Sequence, residues 1–193
     1  MIIEMFKETL KNEAITPMEI VRRYLIYGNP FVYEHDLEQY YALKERIAHQ
    51  FNIHPHSVIM VGSAKLGFSI APKKLWKPFD DESDIDIVIV SETAFIRYWS
   101  ILLLSNDNIS RENNDERDYR RFKDYFFRGW IRPDLLSYHY SDNKKEWFDF
   151  FKEASQEFGN GRKISGALYF GFDFFEKYHV NNIQNLRKMG ETI

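Results

Sequence analysis

The chain has 193 residues, 44% of them hydrophobic and 28% charged, which excludes a disordered polymer and is enough to bury one sizeable core. It contains no cysteine, and so no disulfide scaffold, thiolate zinc site or thiol nucleophile. The net charge of −3 gives no general pull toward duplex DNA, so any affinity for nucleotides has to be local.

Glu4 stands where a secretory leader would need a basic residue. The most apolar stretch, Phe95 to Leu104, is short and broken by Arg97, so no membrane partner is expected and a cytoplasmic location is. Thr16-Pro17-Met18-Glu19 is a capping box with proline at the first helical position, Ile15 and Ile20 can form its staple, and Gly28-Asn29-Pro30 stops the helix. A second helix is expected from Asp36 to Phe51, with Leu37, Tyr40, Tyr41, Lys44 and Ile47 on one face. The period then shortens. Ser57 to Val61 is a β-branched run entering the turn Gly62-Ser63, and Asp84 to Val90 alternates acid and aliphatic residues. Helices follow after Ser91 and over 111–127, where Arg111, Arg117, Arg120, Arg121 and Lys123 share a face with interleaved acids. Residues 131–140 read as strand or loop because of Pro133, 144–157 as helix, 164–172 as strand and 173–188 as a last helix. The fold class expected is α+β.

The chemistry is concentrated in Val61-Gly62-Ser63-Ala64-Lys65 and Ser83-Asp84-Ile85-Asp86-Ile87. On a strand Asp84 and Asp86 point to the same face, where two carboxylates suit a hard divalent cation such as magnesium. A Gly-Ser turn lets backbone N–H groups approach phosphate oxygens, and Ser63 adds a hydroxyl donor.

An apolar strand, Gly-Ser, a spacer and an apolar-flanked Asp-x-Asp resemble the signature of the DNA polymerase β nucleotidyltransferase superfamily, over residues 57–90. The resemblance implies a short mixed sheet flanked by helices. It also implies Mg2+ or Mn2+ as cofactor, and transfer of a nucleoside monophosphate from an NTP or dNTP to a hydroxyl acceptor with release of pyrophosphate. Asp84 and Asp86 would be catalytic metal ligands, and Gly62, Ser63 and Lys65 would hold the nucleotide. The family's third carboxylate would be Asp134, apolar-flanked in Ile131-Arg132-Pro133-Asp134-Leu135; the other reading is a turn aspartate after proline. The domain organisation implied is a nucleotidyltransferase core with N-terminal helices over 1–140 and an aromatic-rich, helical extension over 141–193 packed on it. The short chain and its aromatic C-terminal half look most like nucleotidyltransferases of bacterial antiphage operons, including the Hailong type. That implies a short single-stranded nucleic-acid product and an effector protein partner. An antitoxin-type enzyme that adenylylates a partner toxin, and a catalytically inactive binding module, are the alternatives.

One departure from the family pattern is the spacer. Twenty residues separate Ser63 from Asp84, so Pro72 to Glu82 reads as an inserted loop. Its Lys73, Lys74 and Lys77 could meet a triphosphate while Trp76 stacks on a base, or Trp76 could pack on the body. Arg162 and Lys163 are further triphosphate contacts to consider, and His54-x-His56 reads as a loop pair for want of a third ligand.

Overall fold

A computed structural model describes residues 2–106, 115–136 and 141–190. The N-terminal helices are α1 (Ile2–Lys11) and α2 (Pro17–Val21), the latter continued by a π-turn over Arg22–Ile26. Thr16 caps α2 in a complete capping box, as its sequence predicts. Helix α3 (Leu37–Phe51) starts at Asp36, which accepts from the Gln39 N–H. Its buried face is Tyr40, Leu43, Ile47 and Ala48, whereas Tyr41 turns outward. Strand β1 (Val58–Val61) runs straight into the one-turn helix α4 (Gly62–Leu66), and β2 (Ile85–Val90) into α5 (Glu92–Asn106). Next come α6 (Asp115–Phe127), β3 (Trp130–Ile131), α7 (Ser141–Phe158), β4 (Ile164–Tyr169) and α8 (Phe172–Gly190). The helix expected over 111–127 and the strand or loop over 131–140 thus reach into residues 111–114 and 137–140, which lie outside the described residues.

Among the described residues the sheet order is β1-β2-β4-β3. Strand β1 is antiparallel to β2, β4 is parallel to β2, and β3 is antiparallel to β4. The chain is therefore α+β around a small mixed sheet. The segment 141–193 is more than an extension laid on a core, because it supplies β4, which pairs with all six residues of β2. A short apolar run gives no sign of which strand it will lie beside.

The two faces of the sheet differ. One carries Met60, Ile85, Ile87, Ile89, Ile164 and Leu168 and is closed by α3, α5 and α7 through Leu43, Ile47, Phe95, Trp147 and Phe151. Gly166 belongs there: a Cβ on it would lie 2.1 Å from the Phe151 ring, so only glycine lets α7 approach β4 this closely. The other face carries Ile59, Val61, Val88, Val90 and Tyr169 and meets α1, α2 and α8 through Phe6, Ile20, Phe175 and Ile183. Toward the beginnings of β2 and β4 this second cover gives way to a cleft of about 1400 Å³, whose lining also takes in Phe148, Phe151, Lys152 and Ser155 of α7 around the end of the sheet. Helix α8 is fixed over the sheet by a bidentate pair in which the Arg22 guanidinium donates to the buried Glu176 at 2.6 and 3.1 Å. Arg187 adds hydrogen bonds to the Asn12 and Ile15 carbonyls. No described helix is long and apolar enough to cross a membrane.

Candidate functional site

The register Val61↔Asp86 brings the end of β1 beside the acidic beginning of β2. Gly62 turns the chain there with φ +68°, a conformation that L side chains rarely adopt. A Cβ on Gly62 would stand 3.2 Å from Asp86 Oδ2, so the bare backbone of the turn lies against the carboxylate. Gly62, Ser63, Asp84 and Asp86 all line the cleft.

Asp86 also has a partner on β4. Ser165, its registered neighbour, donates to Oδ1 at 2.8 Å. The Asp86 carboxyl is pushed above its ordinary range, mainly because the walls of the cleft strip it of water. The charge of Asp84 pushes the same way, while the Ser165 hydrogen bond and the charges of Lys163 and Arg132 oppose it. Its side chain keeps access to solvent, so the group lies on the cleft floor within a ligand's reach. Asp84, just before β2, is exposed at the mouth.

The third carboxylate does not join them. Strand β4 separates β2 from β3, and the strand beside the two acids presents Ser165 where a carboxylate was expected. Asp134 follows β3 in a 3-10 turn (Pro133–Leu135), two strand spacings or about 10 Å across from β2. Its oxygens are held by Arg132, from Nε at 3.1 Å and Nη2 at 2.6 Å. Asp134 lines the cleft as half of an ion pair, and among the described residues no group of three or more acids and histidines could hold a metal ion. A magnesium ion keeps several waters and is commonly held by one or two carboxylates plus substrate phosphates. Asp84 and Asp86 fit that role, and the three-carboxylate set does not form.

Lys65 is the second correction. Two residues past Ser63 on a helix is a rotation of about 200°, which carries its side chain away from the cleft. It is buried, and its ammonium donates to the carbonyls of Tyr27 at 2.7 Å and Gly28 at 2.5 Å. Burial, assisted by the charge of Lys44, draws it down to about 8. It braces the turn from behind and does not face a nucleotide.

The inserted loop is a strap, fastened by the backbone pairs Ser69–Lys77, Trp76–Ser69 and Phe79–Gly67. Trp76 packs against Phe6 and Phe68, so the body takes the ring and not a base. Lys74 and Lys77 line the cleft, the latter paired with Asp80 at 2.8 Å, and Lys73 is exposed outside the lining. Lys163 and Arg162 face the cleft from the entry to β4, with Arg162 committed to Asp81 and to the Asp80 carbonyl. His54 accepts from the His56 N–H in an exposed turn. The arginine-bearing face of α6 is solvated, with Arg121 bound to Asp118 at 3.4 Å.

Two features escaped the sequence. Ser165 is one small residue in Ser-Gly-Ala, and its role depends on the pairing of β4 with β2. Asn182 and Asn185 line the cleft beside Tyr178, whose aromatic stretch reads from sequence as able to stack bases or as core, but the two amides look the same as ordinary helix surface. Comparison with known proteins finds no family model, curated protein or solved structure that matches the chain, so the reading of the site stands on its own residues.

Proposed function

We propose that the chain is a magnesium-dependent nucleotidyltransferase that moves a nucleoside monophosphate from an NTP or dNTP to a hydroxyl acceptor. The observation that carries this reading is the placement of the positive-φ Gly62-Ser63 turn against the Asp86 carboxylate, with all three residues lining one cleft. The Gly62-Ser63 turn grips phosphate oxygens through backbone N–H groups and the Ser63 hydroxyl. Asp84 and Asp86 would hold Mg2+, with water and phosphate oxygens completing its shell. The ion, when bound, supplies charge neutralisation and polarisation of the α-phosphate. Lys74 and Lys163 on the cleft wall add positive charge for the rest of the triphosphate. The acceptor oxygen bonds to the α-phosphorus, the bond to the bridging oxygen breaks, and pyrophosphate leaves. Asp84 and Asp86 are the carboxylates nearest that step, so acceptor deprotonation falls to one of them or to solvent.

The test is to incubate the pure protein and its Asp84→Asn/Asp86→Asn variant with Mg2+ and each labelled NTP and dNTP, following pyrophosphate, gel-resolved products and intact protein mass. Pyrophosphate release by the wild type alone supports the reading. A ladder of products would identify an oligonucleotide acceptor, and transfer only to an added toxin protein would identify the antitoxin type. No turnover with any nucleotide, or equal turnover in the variant, overturns it in favour of a binding module.

A further inference from the structure

The cleft exceeds the roughly 300–1,000 Å³ of ordinary small-molecule pockets. The phosphate chemistry assigned above occupies only its acidic end. The opposite wall is aromatic and rich in amides. Trp130 and Tyr178 meet edge to face with centroids 4.8 Å apart, and the Arg132 guanidinium lies 5.4 Å from the Trp130 ring centre. Asn182 and Asn185 stand four and seven residues after Tyr178, on the same stripe of α8. No hydrogen bond ties either amide to another described residue, so each keeps a donor and an acceptor for a ligand.

This wall also contains two unsatisfied polar atoms. Trp130 Nε1 and His179 Nδ1 are buried and have no hydrogen-bond partner. Burial draws His179 down to about 4, so at neutral pH its imidazole is uncharged and suited to a neutral ligand. Trp130 pairs with Tyr169, four residues along β4 from Ser165, a span of roughly 13 Å at strand rise. That is on the scale of a nucleotide.

We infer that the β3–α8 wall is a nucleobase seat, with the cleft-lining Tyr178 ring, backed edge to face by a Trp130 that is itself stacked on Tyr169, as the stacking partner, and with Asn182 and Asn185 reading the base edge. A flat, neutral ring with alternating donors and acceptors is the ligand that matches stacking surfaces beside free amides. The seat rests on the nucleotidyltransferase reading, and the base can belong to the incoming nucleotide or to the end of an acceptor strand.

Calorimetry in Mg2+ separates these cases. The probes are inorganic tripolyphosphate, each NTP and dNTP, and a short single-stranded oligonucleotide, titrated into wild type and Asn182→Ala/Asn185→Ala. The expected result is that at least one nucleotide binds wild type about tenfold or more tighter than tripolyphosphate, the value of one or two hydrogen bonds. The double variant should lose that advantage and keep its tripolyphosphate affinity. Weakening confined to the oligonucleotide would assign the seat to the acceptor, and weakening confined to free nucleotides would assign it to the donor. Unchanged affinity for every base-containing probe overturns the seat while leaving the nucleotidyltransferase reading intact. Failure of wild type to bind either tripolyphosphate or any nucleotide overturns both. A Tyr178→Phe variant, which keeps the ring, should bind nucleotides like wild type, and Tyr178→Ala should not.

Discussion

The two faces of the sheet are made by the same strands and do opposite things. On the closed face Ile85, Ile87 and Ile89 are essentially inaccessible and packed against three helices. On the other face the residues between them run Asp84, Asp86, Val88 and Val90, and the helical cover ends where the acids begin. The first face is covered along its length, whereas the second is packed only where Val88, Val90 and Tyr169 meet α1, α2 and α8, and its uncovered end keeps a carboxylate of raised pKa and a positive-φ turn. Charges clustered in a partly dry cleft cost folding energy, and they persist where a ligand compensates them.

The largest expected effect comes from removing the charge on the open face. Asp86→Asn and Asp84→Asn should each lower nucleotidyl transfer on the order of 10³-fold, in steady-state assays of pyrophosphate release. Asp86→Asn should also raise the melting temperature. Its folded carboxyl lies above the unfolded value, so at neutral pH the ionised form opposes folding, and a neutral amide removes that cost. A variant both less active and more stable would separate the two faces; a less stable one would break the comparison.

On the closed face the effect reverses. Ile87→Ala, one residue along, should cost about 2–5 kcal/mol of stability through the cavity it leaves. Urea denaturation measures it, and nucleotide affinity of the folded fraction should hold. An effect under about 0.5 kcal/mol would show that this face is not close-packed.

Gly62 joins the two faces. Gly62→Ala places a residue at φ +68° at a cost of about 1–2 kcal/mol and sets a methyl 3.2 Å from Asp86 Oδ2. Both the melting temperature and phosphate affinity should fall. Tripolyphosphate titration checks the second, and unchanged affinity would remove the turn from phosphate binding.

These contrasts also explain what the sequence could and could not reveal. The capping box at Thr16, the alternation in 84–90 and the turn at Gly62-Ser63 are local, fixed by backbone geometry within a few residues. Everything that depended on strand order was hidden. Asp134 had the right neighbours in sequence, but β4 enters the sheet between β2 and β3 and leaves it one strand too far away. Lys65 lay inside the motif and turned inward because α4 is a helix, and Trp76 met Phe6, which is 70 residues distant in the chain.

The position of Asp134 sets a smaller prediction. As the partner of Arg132 on the cleft wall, and not a metal ligand, Asp134→Asn should change turnover less than about tenfold, the value of one exposed charged contact. A loss comparable to that of Asp86→Asn, read in the same assay, would mean that Asp134 swings across to the two acids when nucleotide binds.

Lys65 gives the smallest effect on phosphate binding, and it distinguishes the back of the turn from its front. Its ammonium is buried against two carbonyls, and its proton is lost near pH 8 in the folded chain, against 10.5 as the ordinary value. Below pH 8 both states hold the proton, and the lysine adds no pH dependence. Between about 8 and 10.5 the unfolded chain binds more protons, so the stability of wild type relative to Lys65→Met should climb with pH. Urea midpoints at pH 7, 9 and 10 measure this difference, and subtracting the variant removes the titration of the other lysines and tyrosines. A flat difference would mean that the ammonium is hydrated and not enclosed. Tripolyphosphate affinity at pH 7 should match wild type in Lys65→Met and fall in Ser63→Ala, because the first side chain points away from the cleft while the second lines it.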